Sequence, residues 1–264
     1  MWECPDFLDL PARARKPRER GLTHVLDKGI PLPVLAAALE GVGELIDVAK
    51  VGWGIAYVDP QVKSRAGLYA TADVLVSLGG TLFELAAAQG RVDALRRWAA
   101  EQGVGAIEVS NGLGLLDAAD KTALVRALAG DRVVFAETGA KDDGVPVVPA
   151  QWVAEMSADL DAGASWVIAE GRESGTVGLY GGDGAVREDL VELIAERLPL
   201  ERVIFEAPRK AQQAWFVRRF GPDVNLGNVA IDEVLPLETL RLGLRADTAG
   251  RWAAGAPGRE EGTR

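Results

Sequence analysis

The sequence predicts an α/β fold, a single (β/α)8 TIM barrel with parallel inner strands, and three observations carry that prediction. First, short apolar runs ending on a polar residue recur along the chain: LTHVLD to Asp27, LIDVAK to Lys50, AIEVSN around Glu108, VVFAET before Gly139-Ala140-Lys141, WVIAE to Glu170, VIFE to Glu206 and VNLGN at Asn225. Strands of a parallel sheet, buried on both faces, read as near-continuous apolar segments of this kind. Second, helical stretches separate the runs, as in repeated β/α units. Third, the chain has 264 residues, 48% of them hydrophobic, which suits one such barrel and its core. If every strand delivers its terminal polar residue to the same end, charges far apart in sequence converge on one pocket, where enzymes of this architecture keep their active site.

Twenty-nine basic against 39 acidic residues leave a formal charge of −10. That balance argues against a broad nucleic-acid footprint but leaves room for a locally basic pocket, so small anionic molecules are the expected partners. Cys4 is the only cysteine, which excludes an intramolecular disulfide and a CxxC metal site. His24 is the only histidine, so histidine dyads and paired-histidine zinc sites are excluded, and acid–base work falls to lysine or carboxylates. A metal would be bound by oxygen, which favours magnesium or a similarly hard ion. Glu3 and Asp6 have no long apolar core after them, and no run approaches the roughly 18 apolar residues of a membrane span, so a cytoplasmic protein is expected.

Residues 1–20 are rich in proline and arginine and read as an ordered N-terminal arm. The basic cluster of Arg13, Arg15, Lys16, Arg18 and Arg20 could reach an anion, but suits a solvated face or a subunit contact better. The first strand, Leu22–Asp27, is followed by Pro31 and a helix over Leu32–Leu39 that Gly41 and Gly43 end. His24 and Asp27 lie on opposite faces of this strand. With Asp27 toward the barrel, His24 is expected against the helical layer in a structural role. The second strand, Leu45–Lys50, runs into Val51-Gly52-Trp53-Gly54, where glycines let backbone approach a ligand and the indole can wall a pocket. Lys50 at its end is either a snorkelling side chain or a functional lysine. A helix over 60–70 precedes the third strand, Asp73–Leu78, which leads into Gly79-Gly80-Thr81; paired glycines before a helix can offer backbone N–H groups to an anion.

The helix from Thr81 breaks at Gly90 and resumes over Arg91–Glu101, with Leu95, Trp98 and Ala99 on a core stripe. The fourth strand, Ala106–Ser110, places Glu108 and Ser110 on one face, toward the mouth, and turns at Asn111-Gly112. A helix over Asp117–Ala129 precedes the fifth strand, and the loop at 142–146 is long enough to cover the site. Another helix, Pro149–Ala162, is followed by the sixth strand, Trp166–Glu170. Arg172, just beyond it, either forks onto a carboxylate or phosphate or pairs with Glu170 or Glu173. A glycine-rich loop at 178–184 leads to a helix over Arg187–Leu198. The seventh strand, Arg202–Glu206, feeds a helix through Phe220; the eighth, Asp223–Leu226, and a helix over Leu237–Leu244 complete the ring. Loops after the last two strands often hold phosphate, so Arg209, Lys210, Asn225, Gly227 and Asn228 are binding candidates by position. The barrel with its arm is expected over 1–248 and a flexible tail over 249–264.

KVGWG at 50–54, GGTLFE at 79–84, EVSNG at 108–112, ETGAK at 137–141, EGRESG at 170–175, FEAPRKAQQ at 205–213, VNLGN at 224–228 and LETLRLGLRADT at 237–248 resemble, in order, signature segments of the phosphosulfolactate synthase family. The resemblance implies the same (β/α)8 fold. It also implies a magnesium-dependent Michael addition of sulfite to phosphoenolpyruvate, giving 2-phospho-3-sulfolactate, early in coenzyme M or sulfolactate synthesis. Lys141 matches the lysine thought to deliver the proton, and Glu108, Glu137 and Glu170 become the best magnesium ligands, with Asp27 and Glu206 in reserve. Together with the positions read above, the expected site adds Lys50 as a second catalytic residue and Arg172, Ser110, Asn111, Arg209, Asn225, Gly227 and Asn228 as substrate contacts. A compact homo-oligomer, a trimer, is implied too, with Trp2, Phe7 and Trp252 near the subunit contact. The chain has Ile55-Ala56 where the family shows Thr-Ser, and Ala140 where it shows lysine, losing two hydroxyls and one cation. Two alternatives follow: a divergent barrel enzyme adding another nucleophile to an enolpyruvyl-type acceptor, and a non-catalytic stress-associated protein like the family's plant members.

Overall fold

The computed structural model describes residues 5–140 and 144–252. Eight parallel strands close a barrel in sequence order: β1 (Thr23–Asp27), β2 (Val48–Val51), β3 (Leu75–Leu78), β4 (Ala106–Val109), β5 (Val133–Thr138), β6 (Trp166–Ala169), β7 (Val203–Glu206) and β8 (Asn225–Val229). Each pairs in parallel with the next, and β8 returns to β1. The connecting helices are α1 (Leu32–Val42), α2 (Ile55–Val58), α3 (Val62–Thr71), α4 (Gly80–Ala88), α5 (Val92–Glu101), α6 (Ala118–Leu128), α7 (Pro149–Asp161), α8 (Glu188–Arg197), α9 (Lys210–Phe220) and α10 (Val234–Arg241). Local chemistry sets several starts. Proline occupies the first turn of α1 and α7, where its missing N–H costs nothing, and the Asp117 carboxylate caps α6 by accepting from Asp120 N at 2.7 Å.

Two cores explain why the strands read as continuously apolar. A large outer core fills the space between strands and helices. A small inner plug of Leu22, Val48, Ala106, Phe135, Ile168 and Ile204 fills the barrel itself. Because strand side chains alternate, the inward residue two places after each plug residue stands one layer higher. After Val48, Ala106, Phe135, Ile168 and Ile204 those residues are Lys50, Glu108, Glu137, Glu170 and Glu206. An apolar floor therefore carries a charged layer.

On β1 the same alternation corrects the expectation. Leu22 belongs to the plug, so His24 points into the barrel, with its ring 5.8 Å from Phe135, and Asp27 points outward. The Asp27 carboxylate accepts from Gly29 N and Ile30 N at 2.8 and 3.0 Å, and from Arg65 and Tyr69 at 2.9 and 3.0 Å. It clamps the β1–α1 turn against α3 and takes no part in the mouth. Asn225 is likewise displaced from its expected place. It opens β8 at the opposite end of the barrel, accepting from Leu22 N at 2.9 Å and donating to Glu201 and Val203 carbonyls at 3.0 Å.

The N-terminal arm straps this lower end. Arg13 reaches Glu238 at 2.9 Å and Asp223 at 3.4 Å, Lys16 donates to the carbonyls of Gly43 and Ala72 at 2.8 Å, and Arg18 pairs with Asp47 at 3.0 Å. Three of its cations are thus spent on the barrel floor, which the composition alone did not indicate. The outer part of the tail, 253–264, lies outside the described residues, as does Trp2; Phe7 is exposed and Trp252 packs at the edge of the outer core beside Gly243.

His24 generates a pH prediction. Burial first, then the nearby Lys50 charge, holds its pKa well below the ordinary value, and neither ring nitrogen has a hydrogen-bond partner among the described residues. Below about pH 6.5 the unfolded chain binds a proton that the folded chain refuses, so stability falls with acidification by up to about 1.4 kcal/mol per pH unit. His24→Leu removes that loss: urea unfolding from pH 7.5 to pH 5 should show the variant gaining steadily on the wild type, and parallel stability curves would disprove the assignment.

Candidate active site

The charged layer is organised around one ammonium. Lys50 Nζ lies 2.7 Å from Glu206 Oε1, 3.0 Å from Glu108 Oε2 and 3.5 Å from Glu137 Oε2, and all four residues are buried. Backbone donors hold two of the carboxylates from behind. Glu108 Oε1 accepts from Gly80 N at 2.7 Å, which places the carboxylate at the N-terminus of α4. Only glycine fits there, since a Cβ on Gly80 would stand 2.1 Å from Ser110 Oγ. Glu206 Oε2 accepts from Gly171 N and Arg172 N at 2.9 Å each. Glu170, Arg172, Trp53 and Asn228 complete the wall of the pocket.

Electrostatics divide the layer into fixed and exchangeable charge. Burial alone would lower the Lys50 pKa, but Glu108, Glu206 and Glu137 outweigh it and hold the ammonium well above its ordinary range. Glu137 is pushed well up by burial and by repulsion from Glu108 and Glu170, which Lys50 only partly offsets. The neighbouring carboxylates thus hold Lys50 charged, while burial and repulsion disfavour the ionised form of Glu137.

Backbone strain collects at the same place. Trp53, Arg172 and Asn228 have φ of 50°, 54° and 53°, and all three line the pocket. Left-handed backbone at non-glycine residues costs of order 1–3 kcal/mol and persists where surrounding structure holds it for function. Asn228 Oδ1 is buried with no hydrogen-bond partner among the described residues, so this amide has capacity left for a ligand.

The sequence model of (2R)-phospho-3-sulfolactate synthase (ComA) matches residues 11–247. The chain belongs to the phosphosulfolactate synthase family. It is 39% identical over 252 residues to the phosphosulfolactate synthase of Methanothermobacter thermautotrophicus, covering 93% of this chain and 97% of the relative. To that of Methanocaldococcus jannaschii it is 41% identical over 239 residues, covering 88% and 95%. It is an enzyme of phosphosulfolactate synthase type. Among solved structures, the YdjI aldolase of Escherichia coli K12 aligns over 88% of both chains with a TM-score of 0.54 at 11% identity, a likeness of fold alone.

Within this phosphosulfolactate synthase fold, the expected residues separate into three groups. Lys50, Glu108, Glu137, Glu170, Arg172 and Asn228 converge on the pocket, and Glu206 joins them as a principal member. Ser110, Asn111, Gly227 and Arg209 stand nearby in other roles. Ser110 donates to Glu84 at 2.5 Å, Asn111 braces its own loop through Leu116 N and O, Gly227 lies in β8 opposite Glu206, and exposed Arg209 sits against the loop at Gly184. Asn225 is at the far end, and Lys141 lies outside the described residues. Ile55 and Ala56 belong to α2 and do not line the pocket, while Ala140 borders a neighbouring cavity with Trp152. The lost hydroxyls thus fall outside the charged layer. The backbone donors of Gly171 and Arg172 and the Ser110–Glu84 pair have no counterpart in the sequence reading, which found backbone donors only at the paired glycines 79–80.

Among the described residues no three His, Cys, Asp or Glu side chains are grouped to hold a metal ion. Glu108 is already engaged by Gly80 N and Lys50, and Glu206 by Lys50 and two backbone donors. Glu137 and Glu170 form the mutually repelling pair that a hard cation would relieve. Magnesium is typically bound by one or two carboxylates, with substrate oxygen and water completing its shell, and this pair fits that demand.

Lys50→Met tests the arrangement. Leaving the buried carboxylates without their cation should cost about 3–5 kcal/mol at neutral pH. A raised folded-state carboxyl pKa means proton uptake on folding, so the deficit should shrink as pH falls from 8 toward 5. Urea unfolding at each pH measures it; a constant deficit, or none, would show that Lys50 does not neutralise this layer.

Proposed function

We propose that this pocket adds sulfite to phosphoenolpyruvate to give 2-phospho-3-sulfolactate. The observation that carries the reading is the charged layer itself: Glu206, Glu108 and Glu137 surround the Lys50 ammonium, and Glu170 adds its repulsion to Glu137 beside them. Among the described lining residues the carboxylates of Glu108, Glu137, Glu170, Glu173 and Glu206 outnumber the cations of Lys50 and Arg172, so a polyanionic substrate is suited to enter together with additional positive charge. Magnesium held by Glu137 and Glu170 would supply it, as a Lewis acid that stabilises charge developing on the substrate carboxylate.

In this reading the sulfite sulfur lone pair attacks the methylene carbon of phosphoenolpyruvate. The C=C electrons move toward the carboxylate to give an enediolate-like species, and the adjacent carbon then takes a proton. Lys141 delivers that proton. Lys50 cannot easily do so, because its carboxylate neighbours hold its own proton, and its part is to fix Glu108, Glu137 and Glu206 in place. Arg172, held at a left-handed backbone position by Glu206, is suited to fork onto the phosphate or carboxylate, and the Asn228 amide orients the substrate beside it. The protein is read as a cytoplasmic homo-oligomer, a trimer, with exposed Phe7 available to a subunit contact.

Phosphorus NMR of the protein with phosphoenolpyruvate, sulfite and magnesium should show a new phosphate-ester resonance that requires all three and is abolished by a chelator. Conversion without sulfite, or unchanged phosphoenolpyruvate, would overturn the reading. Lys141→Ala should lose turnover by about 10²–10⁴-fold while still binding phosphoenolpyruvate with magnesium, because proton delivery follows binding. Wild-type turnover in that variant would remove the lysine from the mechanism.

A further inference from the structure

Behind β5, on the side away from the pocket, the outer face of the barrel is apolar at most positions, with Val109, Ala136, Val167 and Phe205 packed in the outer core. Thr138 breaks that pattern, and α6 and α7 meet it with buried charge. Lys121, in the first turn of α6, is fully buried, with its ammonium 2.6 Å from Glu155 Oε1 and 2.8 Å from Asp159 Oδ2. The Thr138 hydroxyl donates to the same Glu155 oxygen at 3.2 Å. In its remaining direction Lys121 Nζ donates to the backbone carbonyl of Glu137 at 2.7 Å.

Strand geometry explains why that carbonyl needs a donor. Successive residues of a strand turn their backbone groups alternately toward the two neighbours. The carbonyls of Val134 and Thr138 accept from Ser165 N and Glu170 N on the β6 side, so Glu137 faces β4. The β4–β5 register ends with Val109 opposite Ala136, one residue short of Glu137. β5 outruns its neighbour, and the lysine ammonium stands where the next strand residue would have donated. Its cost is high, because a cation in the first turn of a helix opposes the dipole, and Lys121 and Asp159 both give up hydration. An aliphatic side chain could fill this space, but it would not hold the Glu137 carbonyl.

We propose that Lys121 is the positioning residue for Glu137: it grips the backbone of β5 beyond the end of the ladder and so fixes the direction in which the Glu137 carboxylate enters the pocket. Glu155 and Asp159 orient the ammonium, and Thr138 ties Glu155 to the same strand. The proposal rests on Glu137 serving the reaction described above.

A double-mutant cycle of Lys121→Met and Glu137→Gln tests it, with kcat and KM measured well below each variant's Tm and phosphoenolpyruvate–magnesium binding followed by calorimetry. Folded Lys121→Met should lose about 10–100-fold in kcat/KM, part of it in kcat, and bind phosphoenolpyruvate with magnesium more weakly. In the Glu137→Gln background the same change should add less than about twofold, because the two residues act as one unit. Independent losses that multiply, or a variant that melts lower but keeps its kinetics and binding, would overturn the proposal. Should Lys121→Met not fold, Glu155→Gln, whose side chain is 32% exposed, takes its place in the cycle with the same two outcomes. A wild type without turnover would instead defeat the substrate reading. Hydrogen exchange of a peptide spanning 134–140 then decides: faster exchange in the variant with β1 unchanged supports the grip, and equal exchange overturns it.

Discussion

The mouth of this barrel depends on the attraction between the Lys50 ammonium and the carboxylates of Glu206, Glu108 and Glu137. Those carboxylates come from three strands remote in sequence, and without a cation between them their repulsion in a buried layer would exceed what side-chain packing can offset. Lys50 does not neutralise them alone. Glu108 borrows partial positive charge from the N-terminus of α4, and Glu206 from the two N–H groups that open the loop after β6. Glu137 remains the strained member, its ionised form disfavoured by burial and by repulsion from Glu108 and Glu170.

Geometry supplies the layer before chemistry uses it. A strand places every second residue inward, so one apolar plug residue and one charged residue per strand suffice to build a dry floor and a polar surface above it. The same rule explains His24. It occupies the charged layer's level on β1, yet its position above the plug and beside Lys50 keeps the imidazole neutral. Outside the barrel, polar side chains interrupt the apolar packing at the upper ends of β1 and β5. Asp27 fixes the turn leaving β1, and Lys121 fixes the end of β5, so each interruption coincides with a point where strand geometry must be held.

The barrel, its eight strands and most helix positions were legible because a parallel strand buried on two faces leaves an apolar run, and proline and glycine punctuate the helices. Lys50, Glu108, Glu137 and Glu170 were legible as strand-end charges. The inward or outward phase of β1 was not, since a run such as THVLD is apolar or polar on both faces and only the position of Leu22 in the plug decides it. Asn225 misled for a related reason: β8 begins at this residue, so it marks the entry of its strand and not the exit. The backbone partners of Glu206 and Lys121, two N–H donors for the first and a carbonyl acceptor for the second, come from a distant loop and a strand end. Such groups carry no side-chain signature, and only the closed fold brings them within reach.

The claim that Lys50 is the standing counter-charge of the pocket, with Glu137 as its exchangeable member, can be read directly by NMR of protein labelled at lysine Nζ and glutamate Cδ. The account predicts that Lys50 stays an ammonium to pH values above its ordinary range and that Glu137 titrates well above the ordinary carboxylate range. It also predicts that magnesium with phosphoenolpyruvate lowers the pH at which Glu137 loses its proton. A Glu137 that titrates like a solvent-exposed carboxylate, or a Lys50 that is neutral near pH 7, would contradict it.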